Sequence, residues 1–231
     1  MTDTRSAIRS VEPKSYLSDK IWSEEGLQPE VANALGRIAK KFLDELELEL
    51  DVKDVVLTGS YAGRTWGPGS DLDLHIVTDM KKSGGLEAVS RACKLAKFKW
   101  EEEHDITIRG LPVEVYVEDI NDDPPQVTGR WSIAKNDWVL EPPKDGESFD
   151  ESKVLKKVQD FREVMSKARK TNKEGPVIAA MKRIAKLRKA GLEKAGELSN
   201  ENLAYRVLRR TGELQRAWDL IHNLADRDLS I

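Results

Sequence analysis

Between residues 29 and 49 the apolar positions recur at three- and four-residue steps. Val31, Leu35, Ile38, Phe42 and Leu46 line one face and Lys and Glu the other. That spacing predicts an amphipathic helix, and Pro29 suits its first turn. The period then changes. Asp54-Val-Val-Leu57 reads as a short buried strand, and Asp71-Leu-Asp-Leu-His-Ile-Val-Thr78 alternates over its first six residues. A period of two puts Asp71, Asp73 and His75 on one face and Leu72, Leu74 and Ile76 on the other. Residues 84–103 return to helical spacing. Residues 106–108 and 112–117 predict a hairpin around Arg109-Gly110-Leu111. In its second strand Val113, Val115 and Val117 share one face and Glu114, Tyr116 and Glu118 the other.

From about residue 150 the pattern is helical throughout, with helices expected over about 150–171, 176–195 (opening at Gly175-Pro176) and 199–225. Ser199 suits the N-cap of the last, followed by Leu203, Val207, Leu214, Trp218 and Ile221. This order predicts an α/β (α+β) fold, a small mixed sheet flanked by helices and followed by an all-helical C-terminal region. Residues 141–148 are rich in turn formers and charge. The expected division is therefore 1–140, a linker at 141–150, and a helical domain at 151–231. No internal repeat or low-complexity tract interrupts it.

Composition narrows the class. No run of about 18 apolar residues could span a bilayer, and the N-terminus lacks the apolar core of a secretory signal. Cys93 is the single cysteine; it lies in an apolar-periodic stretch and reads as a small buried hydrophobe. With three scattered histidines, this argues against a structural zinc site and fits a reducing cytoplasm. The net charge of −3 conceals an asymmetry. Residues 151–231 hold 19 Lys+Arg and 11 Asp+Glu, a balance of +8, which leaves −11 for residues 1–150. Either the basic half holds something anionic or the opposite charges favour docking of the halves.

Two carboxylates on one strand face, Asp71 and Asp73, repel unless a cation or solvent intervenes. Glu114 and Glu118 are further strand-borne acids. Mg²⁺ takes hard oxygen ligands, often one or two carboxylates together with substrate phosphates, and two such ions can clamp an in-line displacement. Upstream, Gly59-Ser-Tyr-Ala-Gly-Arg-Thr-Trp-Gly-Pro-Gly69 offers tight turns, backbone N–H groups and a hydroxyl to a triphosphate. These are the parts phosphoryl transfer needs, since its catalysis is mostly positioning and charge stabilisation.

Gly59-Ser60 followed by Ser70-Asp-Leu-Asp73 on a strand resembles the signature of the DNA polymerase β-like nucleotidyltransferase superfamily. The Gly59-to-Asp71 spacing is similar to that of template-independent poly(A) and uridylyl transferases. The Gly-Ser-x-x-x-x-Thr opening resembles oligoadenylate and bacterial cyclic-nucleotide synthases. The resemblance covers about residues 29–120. It implies a nucleotidyltransferase fold with a helical partner domain closing the nucleotide cleft. It also implies two metal ions, Mg²⁺ or Mn²⁺, held by Asp71, Asp73 and a third acid. Glu114 best matches that acid, although the family more often has Asp there; Glu118 and Asp119 are the substitutes. Gly59, Ser60 and Arg64 would bind the nucleotide.

The implied activity is ATP or other NTP binding and transfer of a nucleoside monophosphate from the NTP to an acceptor hydroxyl with release of pyrophosphate. The acceptor expected first is an RNA 3′ end or another nucleotide, then a protein or small molecule receiving AMP. A nucleotide-binding regulatory module without turnover is the alternative of another class. No membrane partner is expected. An EF-hand-like loop is excluded, because Asp71-Leu-Asp-Leu-His-Ile76 lacks the glycine at position six.

Around this core the readings stay open. His75 shares the acids' face but reads first as a packing or supporting residue. Arg64 is either a phosphate contact or a solvated loop arginine. Tyr61 flanks the nucleotide or packs in the core. Gly129-Arg-Trp-Ser-Ile133 lines a pocket or, more simply, anchors the linker by its Trp with Arg outside. Lys182-Arg183, Lys186, Arg188-Lys189, Arg206 and Arg209-Arg210 grip an anion or form the wet faces of helices.

Overall fold

A computed structural model describes residues 4–122, 128–142 and 149–230. In chain order the elements are α1 (Thr4–Ser10), β1 (Trp22–Ser23), β2 (Gly26–Leu27), α2 (Pro29–Leu46), β3 (Val52–Thr58), β4 (Leu72–Thr78) and α3 (Leu86–Glu103). There follow β5 (Thr107–Ile108), β6 (Leu111–Asp119), β7 (Arg130–Ser132), β8 (Asp137–Leu140), α4 (Glu151–Arg169), α5 (Glu174–Ala195), a 3₁₀ turn at Gly196–Leu198, α6 (Asn200–Arg210) and α7 (Glu213–Leu229). The chain divides into two compact units, one formed by Lys14–Gly146 and the other by Met1–Pro13 with Glu147–Ile231. Most of the boundary region expected at 141–148 lies outside the described residues.

The first unit is built on a six-stranded mixed sheet of order β5-β6-β4-β3-β7-β8. Among the described residues only β4 and β6 run parallel, and α3 makes the crossover between them. The alternation read from the sequence decides which side is covered. Leu57, Leu72, Leu74, Ile76 and Val115 join Val31, Leu35, Phe42, Val89, Cys93 and Trp100 of α2 and α3 in one buried cluster. The remaining face carries Thr58, Asp73, His75, Glu114, Tyr116 and Glu118, by the same period of two. β5 and β6 turn through Arg109 and Gly110, both with positive φ, as a two-residue primed hairpin turn requires.

At the other edge, β7 and β8 are fixed by aromatic packing. Trp131 and Trp138 lie 5.1 Å apart, and Trp22 of β1 packs on them at 5.2 and 4.8 Å. Trp131 therefore anchors this segment, as the simpler reading of Gly129–Ile133 held. Arg130 corrects that reading, for it is not outside: its side chain is 11% exposed and pairs with Glu118.

The second unit is helical. Its core joins Val154, Val158, Phe161 and Met165 of α4, Val177, Ala180 and Ile184 of α5, and Leu203, Val207, Leu208, Leu214, Ala217 and Ile221 of α6 and α7. It also takes Ala7, Ile8 and Val11 from the N-terminal segment. The expected division places α1 in the first domain; its apolar residues are instead buried in the helical core. The single helix expected over 199–225 is two. Thr211 ends α6, and Gly212, at φ 72°, starts α7 in the left-handed region that glycine tolerates best. Ser199 caps α6 as expected, accepting a hydrogen bond from the Asn202 N–H at 3.3 Å. Among the described residues no helix is long and apolar enough to cross a membrane.

One ion pair ties the helices together. Arg162 of α4 donates to Glu213 at 2.6 and 2.9 Å, and Thr211 donates to the same carboxylate. Burial works against ionisation of Glu213, but these hydrogen bonds and the Arg162 charge outweigh it and hold the carboxyl below its usual range. A group whose folded pKa is depressed stabilises fully above its unfolded pKa and ceases to as pH falls through the folded value. Glu213→Gln is therefore expected to lower stability near pH 7 by about 1–2 kcal/mol. Tm measured against pH should show wild type and variant converging below about pH 4.

Candidate active site

The site grows from one register. In the parallel pair β4–β6, Asp73 lies directly beside Glu114, His75 beside Tyr116, and Val77 beside Glu118. Asp71 precedes β4 by one residue and is buried, at 7% exposure. Together Asp71, Asp73 and Glu114 bring carboxylate oxygens within 4.8 Å of one another. The pair expected from strand alternation is joined by the third acid only because β6 runs parallel to β4 in this register.

Gly59 explains how the turn after β3 meets this cluster. Thr58 pairs with Asp73 across the antiparallel β3–β4 ladder, and Gly59 leaves the strand with φ 73°. A Cβ there would lie 2.7 Å from Asp73 Cγ and closer still to Oδ2. Only a residue without a side chain lets the backbone pass over the carboxylate. Ser60 and Arg64 belong to the same turn, in which the Gly63 N–H donates to the Ser60 carbonyl and the Arg64 carbonyl accepts from the Lys14 N–H. Tyr61, at 3% exposure, is a core residue, and its carbonyl accepts from Trp22 Nε1 at 2.7 Å.

Two neighbours of Glu114 escaped the sequence reading. The Tyr116 hydroxyl donates to Glu114 Oε2. Lys97 of α3 places its ammonium 3.8 Å from the same carboxylate and 4.1 Å from the centre of the Tyr116 ring. Tyr116 is foreseeable, since it shares a strand face with Glu114; Lys97 carries no local signal and arrives by tertiary packing. Burial, and then hydrogen bonding to Glu114, raise the Tyr116 pKa and keep the phenol a donor. Burial also raises that of Glu114, aided by hydrogen bonding with Asp71 and opposed by Tyr116 and Lys97.

Glu118 and Asp119, the substitutes for the third acid, are engaged elsewhere. Glu118 binds His75 Nδ1 at 2.6 Å and pairs with Arg130. Burial opposes its ionisation, yet His75 and Arg130 hold its carboxyl below the usual range. His75, its ring 5.0 Å from that of Tyr116, thus supports the sheet face. Asp119 is buried among backbone donors, accepting from the N–H groups of Met80 at 2.9 Å and Asn121 at 2.8 Å.

Three carboxylates this close repel unless protons or cations compensate them. The donors are all hard oxygens, and Gly59 lets the turn after β3 pass close over the Asp73 carboxylate. That set fits Mg²⁺ and equally Mn²⁺.

Comparison with known proteins bears on the same segment. The family model of the nucleotidyltransferase domain matches residues 37–136, which include the Gly59 turn and all three acids. One similar solved structure is that of the STING-associated CdnE c-di-GMP synthase from Capnocytophaga granulosa. It is 14% identical, with 97% of this chain and 88% of that chain covered and a TM-score of 0.28. At that score the superposition is too loose to carry a site or a substrate across. No curated protein matches the sequence.

Gly59→Ala tests the close approach. Strain at positive φ together with the collision should destabilise the first unit by about 1–3 kcal/mol. Chemical denaturation would register that loss, and Gly36→Ala, which meets nothing within 4 Å, should cause none.

Proposed function

We propose, from the match of residues 37–136 to the family model of the nucleotidyltransferase domain, a metal-dependent transfer of a nucleoside monophosphate to an RNA 3′ hydroxyl. The transfer of a nucleotidyl group from an NTP is the activity of this family. The acceptor, the metal and the residue roles are our reading. The observation that carries it is the parallel register of Asp73 and Glu114, with Asp71 completing the carboxylate cluster.

Asp71, Asp73 and Glu114 would hold Mg²⁺ or Mn²⁺, in two ions as the resemblance implies. When bound, such ions neutralise triphosphate charge and stabilise the attacking and leaving oxygens. The chain's own residues do the rest. N–H groups of the turn after β3 and the Ser60 hydroxyl hold the phosphates, and Arg64 binds one of their oxygens. The acceptor oxygen attacks the α-phosphorus in line. Its bond to phosphorus forms as the bond to the β-bridging oxygen breaks, and pyrophosphate leaves with the electron pair. Glu114 takes the hydroxyl proton or orients the hydroxyl. Tyr116, donating to one oxygen of Glu114, fixes the carboxylate's orientation, and Lys97 lies beside it.

The RNA end is preferred over a mononucleotide because the C-terminal residues 151–231 carry a net charge of +8, which suits a polyanion. AMP transfer to a protein or small molecule has no such support.

Incubation with each labelled NTP, Mg²⁺ or Mn²⁺ and RNA should place label at the RNA 3′ end. Asp71→Asn with Asp73→Asn should reduce transfer to background, and Glu114→Gln should lower kcat by about 10²–10⁴-fold while melting like wild type. Glu118→Gln should instead lower Tm, because it leaves Arg130 without its buried partner. Full activity in the double Asp variant would overturn the mechanism.

A further inference from the structure

Several helical charges of this protein pair along their own helix. On α2, Lys41 pairs with Glu45 at 2.8 Å. On α3, Glu87 pairs with Arg91, Lys97 with Glu101, and Lys99 with Glu103, all at i,i+4 spacing. Such pairs support a helix, and like charges at the same spacing oppose it.

α5 differs in the length of its uninterrupted basic stretch. Residues 175–192 contain five Lys and Arg and no Asp or Glu. Its inner face, Val177, Ala180, Met181 and Ile184, is buried in the helical core. Lys182, Lys186 and Lys189 stand at i, i+4 and i+7, so they form one stripe along the helix. All three are exposed, as is Arg183 beside them. Among the described residues Lys182, Arg183 and Lys186 have no ion-pair partner, and Lys189 has only Glu193, at 3.9 Å. Arg188 is not part of the stripe. Its Nε donates to Asn202 Oδ1 at 2.9 Å, and its guanidinium lies over the Tyr205 ring.

A helix needs only a polar outer face to stay in water, and alternating charges supply one at lower cost. Concentrating unscreened cations instead, in a chain whose net charge is −3, is the arrangement that recognises a polyanion. We propose that the Lys182–Lys186–Lys189 stripe, with Arg183, binds the phosphate backbone of single-stranded RNA. The stripe spans about 10 Å of helix axis and carries no aromatic side chain on which a base could stack. Binding there is electrostatic and indifferent to sequence. This inference rests on the reading of RNA as acceptor.

The test is fluorescence anisotropy of a labelled single-stranded RNA with the full chain, titrated at several salt concentrations. The logarithm of the association constant should fall linearly with the logarithm of salt. In the triple variant Lys182→Gln, Lys186→Gln, Lys189→Gln the slope should shrink by about 2, since each lost phosphate contact on a single strand removes about 0.7. A charge-matched control, Lys40→Gln, Lys81→Gln, Lys94→Gln, should keep the wild-type slope. Circular dichroism should show both variants folded.

Unchanged RNA affinity and slope in the stripe variant would overturn the proposal. So would a stripe that governs binding to phosphatidylserine vesicles but not to RNA. Transfer to RNA, followed in parallel, separates the two readings. Stripe-dependent binding without RNA labelling would leave the stripe standing and remove the acceptor. RNA labelling with stripe-independent binding would do the reverse.

Discussion

Mutual repulsion of carboxylates governs the first unit. Asp71, Asp73 and Glu114 bring oxygens within 4.8 Å of one another, and sheet geometry alone would not choose that. Two features of the fold hold them there against the electrostatic cost. Seven consecutive residue pairs fix the parallel β4–β6 register, and a slip by one residue would turn Glu114 into the core and Val113 or Val115 out of it. The apolar face of the sheet, packed under α2 and α3, thus keeps the acids of the other face aligned. Hydrophobic burial supplies the precision, and the charged face inherits it.

The surroundings sort the remaining acids by partner. Tyr116 and Lys97 attend Glu114, whereas His75 and Arg130 occupy Glu118. Two glutamates four residues apart on one strand face are in this way given different environments. A carboxylate already satisfied by an imidazole and a guanidinium has little to offer a cation. Glu114 instead meets a phenol, an ammonium at 3.8 Å and the carboxylate of Asp71.

Legibility in the sequence followed the range of the interactions. The alternation of residues 71–76 fixed the faces of β4, because period two is local, and Pro29 and Ser199 marked helix starts for equally local reasons. Gly212 was a local signal passed over, since the apolar pattern runs on through it from Val207 to Leu214. The choice of Glu114 over Glu118 rested on resemblance; what now distinguishes them is Arg130, twelve residues on, on a strand pair the alternation did not reveal. β7 and β8 are short, and their stability comes from Trp22, about 110 residues earlier, packing on Trp131 and Trp138. Lys97 belongs to the same class of long-range placement.

The membership of α1 in the helical unit bears on how the protein is made. Ala7 and Ile8 of α1, with Val11 just after it, leave the ribosome before the first unit does, but the core that buries them is completed by α4 to α7, which follow that unit. The unit between, Lys14–Gly146, is continuous and can fold as it emerges. Throughout that interval the first helix has no core to enter. The closing of the helical unit is therefore a long-range event that waits for α4 to α7, and until it occurs the nascent chain presents a short apolar segment ahead of the first unit to chaperones or to other nascent chains.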